Sequence, residues 1–396
     1  MIYLDDSSTT QLDQRVLQAM LPYFTDMYGN ASSTHSFGQK SKYAIDEARY
    51  ILADFLHSTP QEIIFTSTGS ESISLALKGT AEYLATKDGF HPENVYFVTT
   101  PLEHSAVMKT ISHLQAWNYK NRIVPVDDFG EVKPTGEDSL ESILQDIKAE
   151  NPNAEILVTV QYVNSEIGTV QNIAEISKIA HSYSAFVHTD AMQAAKYLDL
   201  NVQDLGVDMM TFAAHKIYGP LGAAALFLKS GSKISRQIDG GEQEYKIRAG
   251  TQNTPAIVGF GKAVQFLMQE RDERKKHVWE LSDLFSSKIL SSIPGSRILC
   301  NENRMKSICA IVIPGIQAVE FLVRLDLNGI VASAGSACNS GSMQPTENLK
   351  YIGLNEQEIN SVIRFSIGKN NTIEEINSAV EIIAEEYKKY TAQKTA

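Results

Sequence analysis

Short apolar segments alternate with segments of helical period through most of this chain, and that alternation limits the fold more than any single motif. Glu62–Thr66, Val95–Thr99, Ile156–Val163, Ala185–Thr189, Met209–Ala213 and Ala223–Leu228 are short and mostly apolar. Such runs read as buried strands. Helical runs such as Ser70–Ala85 and Ile173–Tyr183 lie between many of them. The pattern predicts an α/β fold with a mostly parallel, doubly wound sheet covered by helices on both faces. A long charged helix is expected to start after Thr254 and to lead out of this unit. Beyond it, Ile308–Ile313 and Val362–Ser366 read as strands and Val319–Leu327 as a helix. The capping box Thr372-Ile373-Glu374-Glu375 opens another helix. These elements predict a second, smaller α+β domain. Two cores suit a chain of 396 residues, because single cores stop growing at about 250–300 residues.

In open α/β sheets ligands collect at the carboxyl ends of the strands. Lys216 falls there, in Phe212-Ala213-Ala214-His215-Lys216-Ile217-Tyr218-Gly219-Pro220. A free lysine has a pKa of about 10.4 and is a poor nucleophile at neutral pH. Desolvation or a neighbouring cation lowers that value, and the amine can then form a Schiff base with a carbonyl cofactor such as pyridoxal phosphate. A lone lysine at a strand end is otherwise a surface residue. Asp190, in His188-Thr189-Asp190-Ala191-Met192-Gln193, lies just past the strand Ala185–Thr189. A carboxylate there can keep a pyridinium nitrogen protonated, or it can simply cap the next helix. The two residues together, each at a strand end, favour the cofactor reading.

The charge balance, 35 basic against 47 acidic residues, is −12. An acidic surface argues against direct binding of nucleic acid or of an anionic membrane, both of which need basic patches. It leaves a basic protein partner open. No apolar stretch is long enough to span a bilayer. The opening Met1-Ile2-Tyr3-Leu4-Asp5-Asp6 lacks the basic and apolar regions of a signal peptide. Three cysteines, Cys300, Cys309 and Cys338, have no metal-ligand spacing, which suits a reducing, cytoplasmic compartment and at least one free thiol.

At these residues the chain resembles the cysteine desulfurases, of the class V aminotransferase type within the fold-type I pyridoxal-phosphate enzymes. The resemblance runs in order from Tyr3-Leu4-Asp5 with Thr9-Thr10, through Gly29-Asn30-Ala31-Ser32-Ser33, Phe65-Thr66-Ser67, Glu103-His104-Ser105-Ala106-Val107 and Val163-Asn164-Ser165-Glu166-Ile167-Gly168. It continues through Asp190, the His215-Lys216 segment, Arg248-Ala249-Gly250-Thr251, the loop Ser333 to Pro345, and Ile363-Arg364-Phe365-Ser366. It implies a large cofactor-binding α/β domain over 13–258. A small α+β domain would combine 1–12 with 259–396 and carry a mobile cysteine loop at about 332–345.

The resemblance also implies roles. Pyridoxal 5'-phosphate would be held by Lys216, with Asp190 on the ring nitrogen, His104 stacked on the ring and Gln193 on the phenolic oxygen. Asn164 would lie near that oxygen and the substrate carboxylate. Gly69 and Ser70 would take the phosphate at a helix N-terminus, where backbone N–H groups and the dipole favour anions; Ser70 could equally be the helix cap. His215 and Thr251 would join them, Thr251 from the second subunit of a homodimer. His104, before a helix, is on its own a cap or a proton shuttle. Arg364 interrupts an apolar strand, and a buried arginine needs an anion. An internal acid is the default; the family assigns it to the substrate α-carboxylate in a bidentate fork. Cys338 sits in a loop of small residues, Ala332 to Met343, where a structural cysteine has nothing to pack on, so it reads as the nucleophile. Cys300 and Cys309 read as core residues.

The activity implied is sulfur abstraction from L-cysteine, with Cys338 taking the sulfur as a persulfide and alanine released. The mobile loop would then offer the sulfur to an acceptor protein. Iron–sulfur assembly, tRNA thiolation, cofactor biosynthesis and DNA phosphorothioation would all use this chemistry. A selenocysteine lyase or an aminotransferase on the same scaffold is the alternative enzyme, and a non-catalytic subunit the alternative to an enzyme; a transaminase has no use for Cys338. Some positions depart from the family pattern. Ala213 replaces a Ser or Thr hydroxyl expected on the phosphate. Thr68 replaces a glycine, which matters if the backbone there needs positive φ, and Glu242 replaces the third glycine of a Gly-Gly-Gly turn. Lys246 replaces a small residue and Ser165 a second Asn. Together they predict a cofactor held more loosely than usual.

Overall fold

The computed structural model describes residues 1–87, 89–299, 303–335 and 347–395. Seven strands form a central sheet in the order Ile63–Thr66, Ala224–Leu228, Met209–Ala213, Phe186–Asp190, Glu155–Thr159, Val95–Thr99, Lys120–Ile123. Ala224–Leu228 runs antiparallel to both neighbours, and every other pairing is parallel. The reversal follows from chain length: the turn between Ala213 and Ala224 is too short for the crossover of a dozen or more residues that a parallel return requires.

Inner strands such as Val95–Thr99, Met209–Ala213 and Ala224–Leu228 are buried at every position. Their side chains alternate between two cores. Ile64, Phe97, Leu157, Met209 and Leu226 face the helices Gly69–Ala85 and Ser105–Gln115. Phe65, Val98, Val158, Val187, Phe212 and Phe227 face Ser36–Phe55, Leu140–Glu150, Ile173–Ser182 and Thr254–Ser292. The period of two that a strand imposes, with both faces covered by helices, is why these runs are apolar throughout.

The helix after Thr254 is as expected long: 39 residues, Thr254–Ser292, about 58 Å at 1.5 Å per residue. Asn253 caps it through Oδ1, which accepts the Ala256 N–H at 3.3 Å. Gly261 lets it approach the helix Ser36–Phe55; a Cβ there would meet the Ala48 Cβ at 2.8 Å. Its far end packs Phe285 on Phe365, 5.1 Å between ring centroids. Phe365 belongs to a second sheet, antiparallel, in the order Val362–Ser366, Ile308–Val312, Arg297–Ile298.

Residues 2–13 lace the two sheets together. Ile2–Tyr3 pairs in parallel with Ile330–Val331. Asp6 N donates to Ser366 O at 3.2 Å, and Thr10 N and Asp13 N donate to His215 O and Tyr218 O, both at 3.0 Å. Asp6 is anchored by a buried ion pair with Lys196, Nζ to Oδ2 2.6 Å. All the strands expected from sequence are present. Ile156–Val163 shortens to Glu155–Thr159 because the chain leaves the sheet there and Gln161 turns into a cavity. The edge strand Lys120–Ile123 and the pair Ile2–Tyr3 with Ile330–Val331 are additions.

Candidate active site

One cavity of about 230 Å³ lies at the carboxyl ends of the parallel strands. Each strand end delivers a wall. After Ile63–Thr66 come Thr68, Gly69 and Ser70; after Val95–Thr99, His104; after Glu155–Thr159, Gln161, Val163 and Ser165; at the end of Phe186–Asp190, Asp190, Met192 and Gln193; after Met209–Ala213, His215 and Lys216. The second sheet adds Arg364, and the N-terminal segment adds Ser7 and Ser8. Residues far apart in the chain thus converge because parallel strands end together.

Lys216 Nζ donates to two backbone carbonyls, Ser7 O at 2.5 Å and Ser8 O at 2.7 Å. Asp190 is buried, and its Oδ1 accepts the Met192 N–H at 2.9 Å. It is therefore both the turn cap and a carboxylate facing the cavity. Burial pushes its carboxyl above the usual range; the charges of His104 and Lys216 and the Met192 N–H oppose that rise. His104 caps the helix Ser105–Gln115 with Nδ1, which accepts the Ala106 N–H at 3.1 Å. The neutral ring then carries its proton on Nε2. His215 Nδ1 lies 3.2 Å from Thr9 Oγ1. Burial, reinforced by the cations of Lys216 and Lys196, drops its imidazole to about 4, so at neutral pH it is an uncharged donor or acceptor.

Thr68, not Ser70, caps the helix Gly69–Ala85: its Oγ1 accepts the Glu71 N–H at 3.1 Å. Thr68 has φ −148°, so no glycine is needed, and Ser70 is left to face the cavity. Arg248 ties the Arg248–Thr251 turn to this corner, Nε to Glu71 Oε1 2.7 Å and Nη2 to Ser67 Oγ 2.8 Å. Thr251 itself is exposed, outside the cavity. Glu242 lacks a positive φ, whereas Glu244, Tyr245 and Lys246 form a left-handed run at 44°, 58° and 70°. Arg49 over-determines that run, bonding both Glu244 oxygens at 2.8 Å with its guanidinium 5.2 Å from the Tyr245 ring centroid.

Asn164 stands behind the wall. Its Oδ1 accepts the Glu166 and Ile167 N–H groups at 2.8 Å, and its Nδ2 donates to Leu102 O at 3.1 Å. The amide shapes the loop while its neighbours Val163 and Ser165 line the cavity. Gln193 Nε2 donates to Ser7 O at 2.8 Å. Arg364 pairs with an internal acid, Asp5, at 2.8 Å, and it also lines the cavity. Cys338 and Cys300 lie outside the described residues; Cys309 is buried. Ser7, Ser8 and Gln161 are cavity residues that sequence reasoning does not single out.

A family model described as aminotransferase class-V matches residues 2–378. The chain belongs to the class-V aminotransferase family. Within that family it is 36% identical over 385 residues to the cysteine desulfurase IscS of Dictyoglomus turgidum, covering 96% of this chain and 93% of the relative. It is likewise 36% identical to the putative cysteine desulfurase IscS 1 of Bacillus subtilis, covering 98% and 99%. A solved NifS-like protein superposes with a TM-score of 0.86 at 30% identity, covering 97% and 98%. SspA, solved in complex with cysteine, superposes with a TM-score of 0.79 at 30% identity, covering 94% and 100%. The mostly parallel sheet with one reversed strand is therefore the fold-type I arrangement of these class-V proteins.

The cavity of this class-V member suits a pyridoxal-type group. It offers an amine, a buried carboxylate, an imidazole and a helix N-terminus. Two buried wall atoms, Ser7 Oγ and Gln193 Oε1, have no partner among the described residues, and such atoms call for a polar ligand or water. Among the described residues no group of His, Cys, Asp and Glu is placed to hold a metal ion, and no helix is long and apolar enough to cross a membrane.

Proposed function

We propose that this protein is a cysteine desulfurase that uses pyridoxal 5'-phosphate and converts L-cysteine to L-alanine, passing the sulfur to Cys338. The observation that carries the reading is the gathering of Lys216, Asp190, His104 and Arg364 in one cavity at the strand ends. Relatives along almost the whole chain carry the same activity in their names. When bound, the cofactor supplies an electron sink that makes the substrate Cα–H acidic.

Lys216 would anchor the cofactor and then move the substrate Cα proton. Asp190 would keep the ring nitrogen protonated, aided by burial that strengthens its electrostatic grip. His104 would stack on the ring, with its Nε2–H available as a proton donor. Gln193 would meet the phenolic oxygen. Gly69, Ser70 and neutral His215 would receive the phosphate, and Thr251 of a second copy in a homodimer would complete that corner. Its exposure and its tether through Arg248 to Glu71 support this role. Arg364 takes the α-carboxylate, on the loop that Asn164 shapes. The Cys338 thiolate attacks the substrate sulfur; the Cβ–S bond breaks, a persulfide forms on Cys338, and the carbon skeleton leaves as L-alanine after protonation. Atoms balance as L-cysteine plus thiol giving L-alanine plus persulfide. An acceptor protein in the cytoplasm then collects the sulfur for iron–sulfur assembly, tRNA thiolation or DNA phosphorothioation. In the same reading 13–258 forms the large domain, with 1–12 and 259–396 the small one; the two separate sheets support that division.

The test is alanine and sulfide release from L-cysteine with a reductant, comparing wild type with Cys338→Ser. Stoichiometric products that vanish in the variant are expected. Products that persist in the variant would move the sulfur chemistry away from Cys338, and their absence from both proteins, with the cofactor bound at Lys216, would mean a missing partner or a transaminase.

A further inference from the structure

In the desulfurase reading Arg364 meets the substrate carboxylate, and the present inference rests on that reading. Arg364 is 2% exposed, and a guanidinium so buried needs an anion before any substrate arrives. Asp5 is that anion. Arg364 Nη2 donates to Asp5 Oδ1 at 2.8 Å and to Ser8 Oγ at 2.7 Å, while Nη1 donates to Ser165 O at 2.9 Å. Ser8 Oγ in turn donates to Asp5 Oδ1 at 2.8 Å. A guanidinium has five N–H bonds. Both hydrogens on Nη2 are engaged; Nε–H is buried without a partner among the described residues. A two-pronged grip on a carboxylate uses adjacent nitrogens, either Nε with Nη2 or Nη1 with Nη2. Both edges include Nη2, the saturated atom.

We propose that Asp5 sets the affinity and charge selectivity of the pocket for carboxylates. It is an internal carboxylate that competes with the substrate's for Nη2, and the Ser8 hydroxyl, bonded to both, is the group that must let go. Paired with Asp5, Arg364 offers an incoming carboxylate an oriented but neutralised site. One carboxylate is held lightly, and a second at this end of the pocket would face the negative charge of Asp5, so L-alanine leaves readily and dicarboxylates are disfavoured.

The experiment is calorimetric titration of the cofactor-loaded protein with L-alanine, and with ethylamine as a ligand lacking the carboxylate. Asp5→Asn keeps an oxygen for Arg364 and removes the charge. L-alanine is expected to bind roughly tenfold tighter to Asp5→Asn, as a nearby unit charge removed from a buried site implies, with ethylamine unchanged. Unchanged or weaker L-alanine binding overturns the proposal, as does equal tightening of ethylamine. Should Asp5→Asn not fold, Ser8→Ala decides: it frees one Nη2 hydrogen and leaves Asp5, and L-alanine should then bind several-fold tighter; no gain overturns the proposal. Alanine production from L-cysteine by the same wild-type preparation tests the desulfurase reading separately, so either idea can fail alone.

Discussion

Glu103 sits wholly inside the protein next to His104, and its proton should be visible in the pH dependence of folding. Burial pushes its carboxyl up to about 8. The opposing hydrogen bonds, from Thr100 Oγ1 at 2.8 Å and from Gln161 N at 3.0 Å, offset only part of that cost. The sign follows from proton counting. Below about pH 4.5 both folded and unfolded states hold the proton. Between there and pH 8 the folded state keeps a proton that the unfolded chain has released, so stability falls as pH rises. The slope is at most about 1.4 kcal/mol per pH unit. Over the whole interval that makes an upper bound of about 5 kcal/mol. Glu103→Gln resembles the protonated acid and cannot titrate. Its stability relative to wild type should therefore climb with pH by about 1 kcal/mol per unit between pH 5 and 8, whatever constant offset the amide introduces. Urea unfolding read by tryptophan fluorescence, with the cofactor stripped so that ligand linkage does not enter, measures this. Parallel wild-type and variant curves would refute the reasoning, as would a difference that narrows as pH rises.

Ala213→Ser restores a hydroxyl beside the proposed phosphate corner; at about 1.5–3 kcal/mol for a hydrogen bond to a charged group, cofactor retained after dialysis should rise roughly tenfold or more, and equal retention would remove the idea. Glu244→Ala strands the buried guanidinium of Arg49 and should cost about 3–5 kcal/mol in denaturant unfolding; a loss under 1 kcal/mol would mean that Arg49 finds water instead. Lys246→Gly relieves one residue of the left-handed run and should gain up to about 1 kcal/mol, read as a higher urea midpoint with unchanged slope.

The central sheet is legible in the sequence because its inner strands are apolar on both faces and stand between helical segments. The edge strand Lys120–Ile123 escapes notice for the opposite physical reason: half-exposed, it carries Lys120, Asn121 and Arg122, which no buried-strand pattern contains. Strands of two residues such as Ile2–Tyr3 leave no periodicity to find. Lys216 and Asp190 are legible because strand ends place them. Gln161 leaves a faint signal, a polar residue at the end of an otherwise apolar run. Ser7 and Ser8 leave none, because what holds Lys216 is their backbone carbonyls, which any residue would supply. Asn164 shows the converse. Its residue type agrees with the family pattern, but its amide is occupied by three backbone groups, a fact of loop geometry that no motif carries.

The lacing of residues 2–13 across both sheets has a consequence for the order of events during synthesis. The carbonyls that receive Lys216 are made about two hundred residues before it, yet their seat, the strand Val362–Ser366, is made well after it. Asp5 and Arg364 meet across a separation of 359 residues. A nascent chain can complete its large sheet by Leu228 and still lack one wall of the cavity. Until the strand Val362–Ser366 is made, the carbonyls that hold the Lys216 amine have no seat. Truncated products that stop short of that strand lack Arg364, and their pocket is left open on that side.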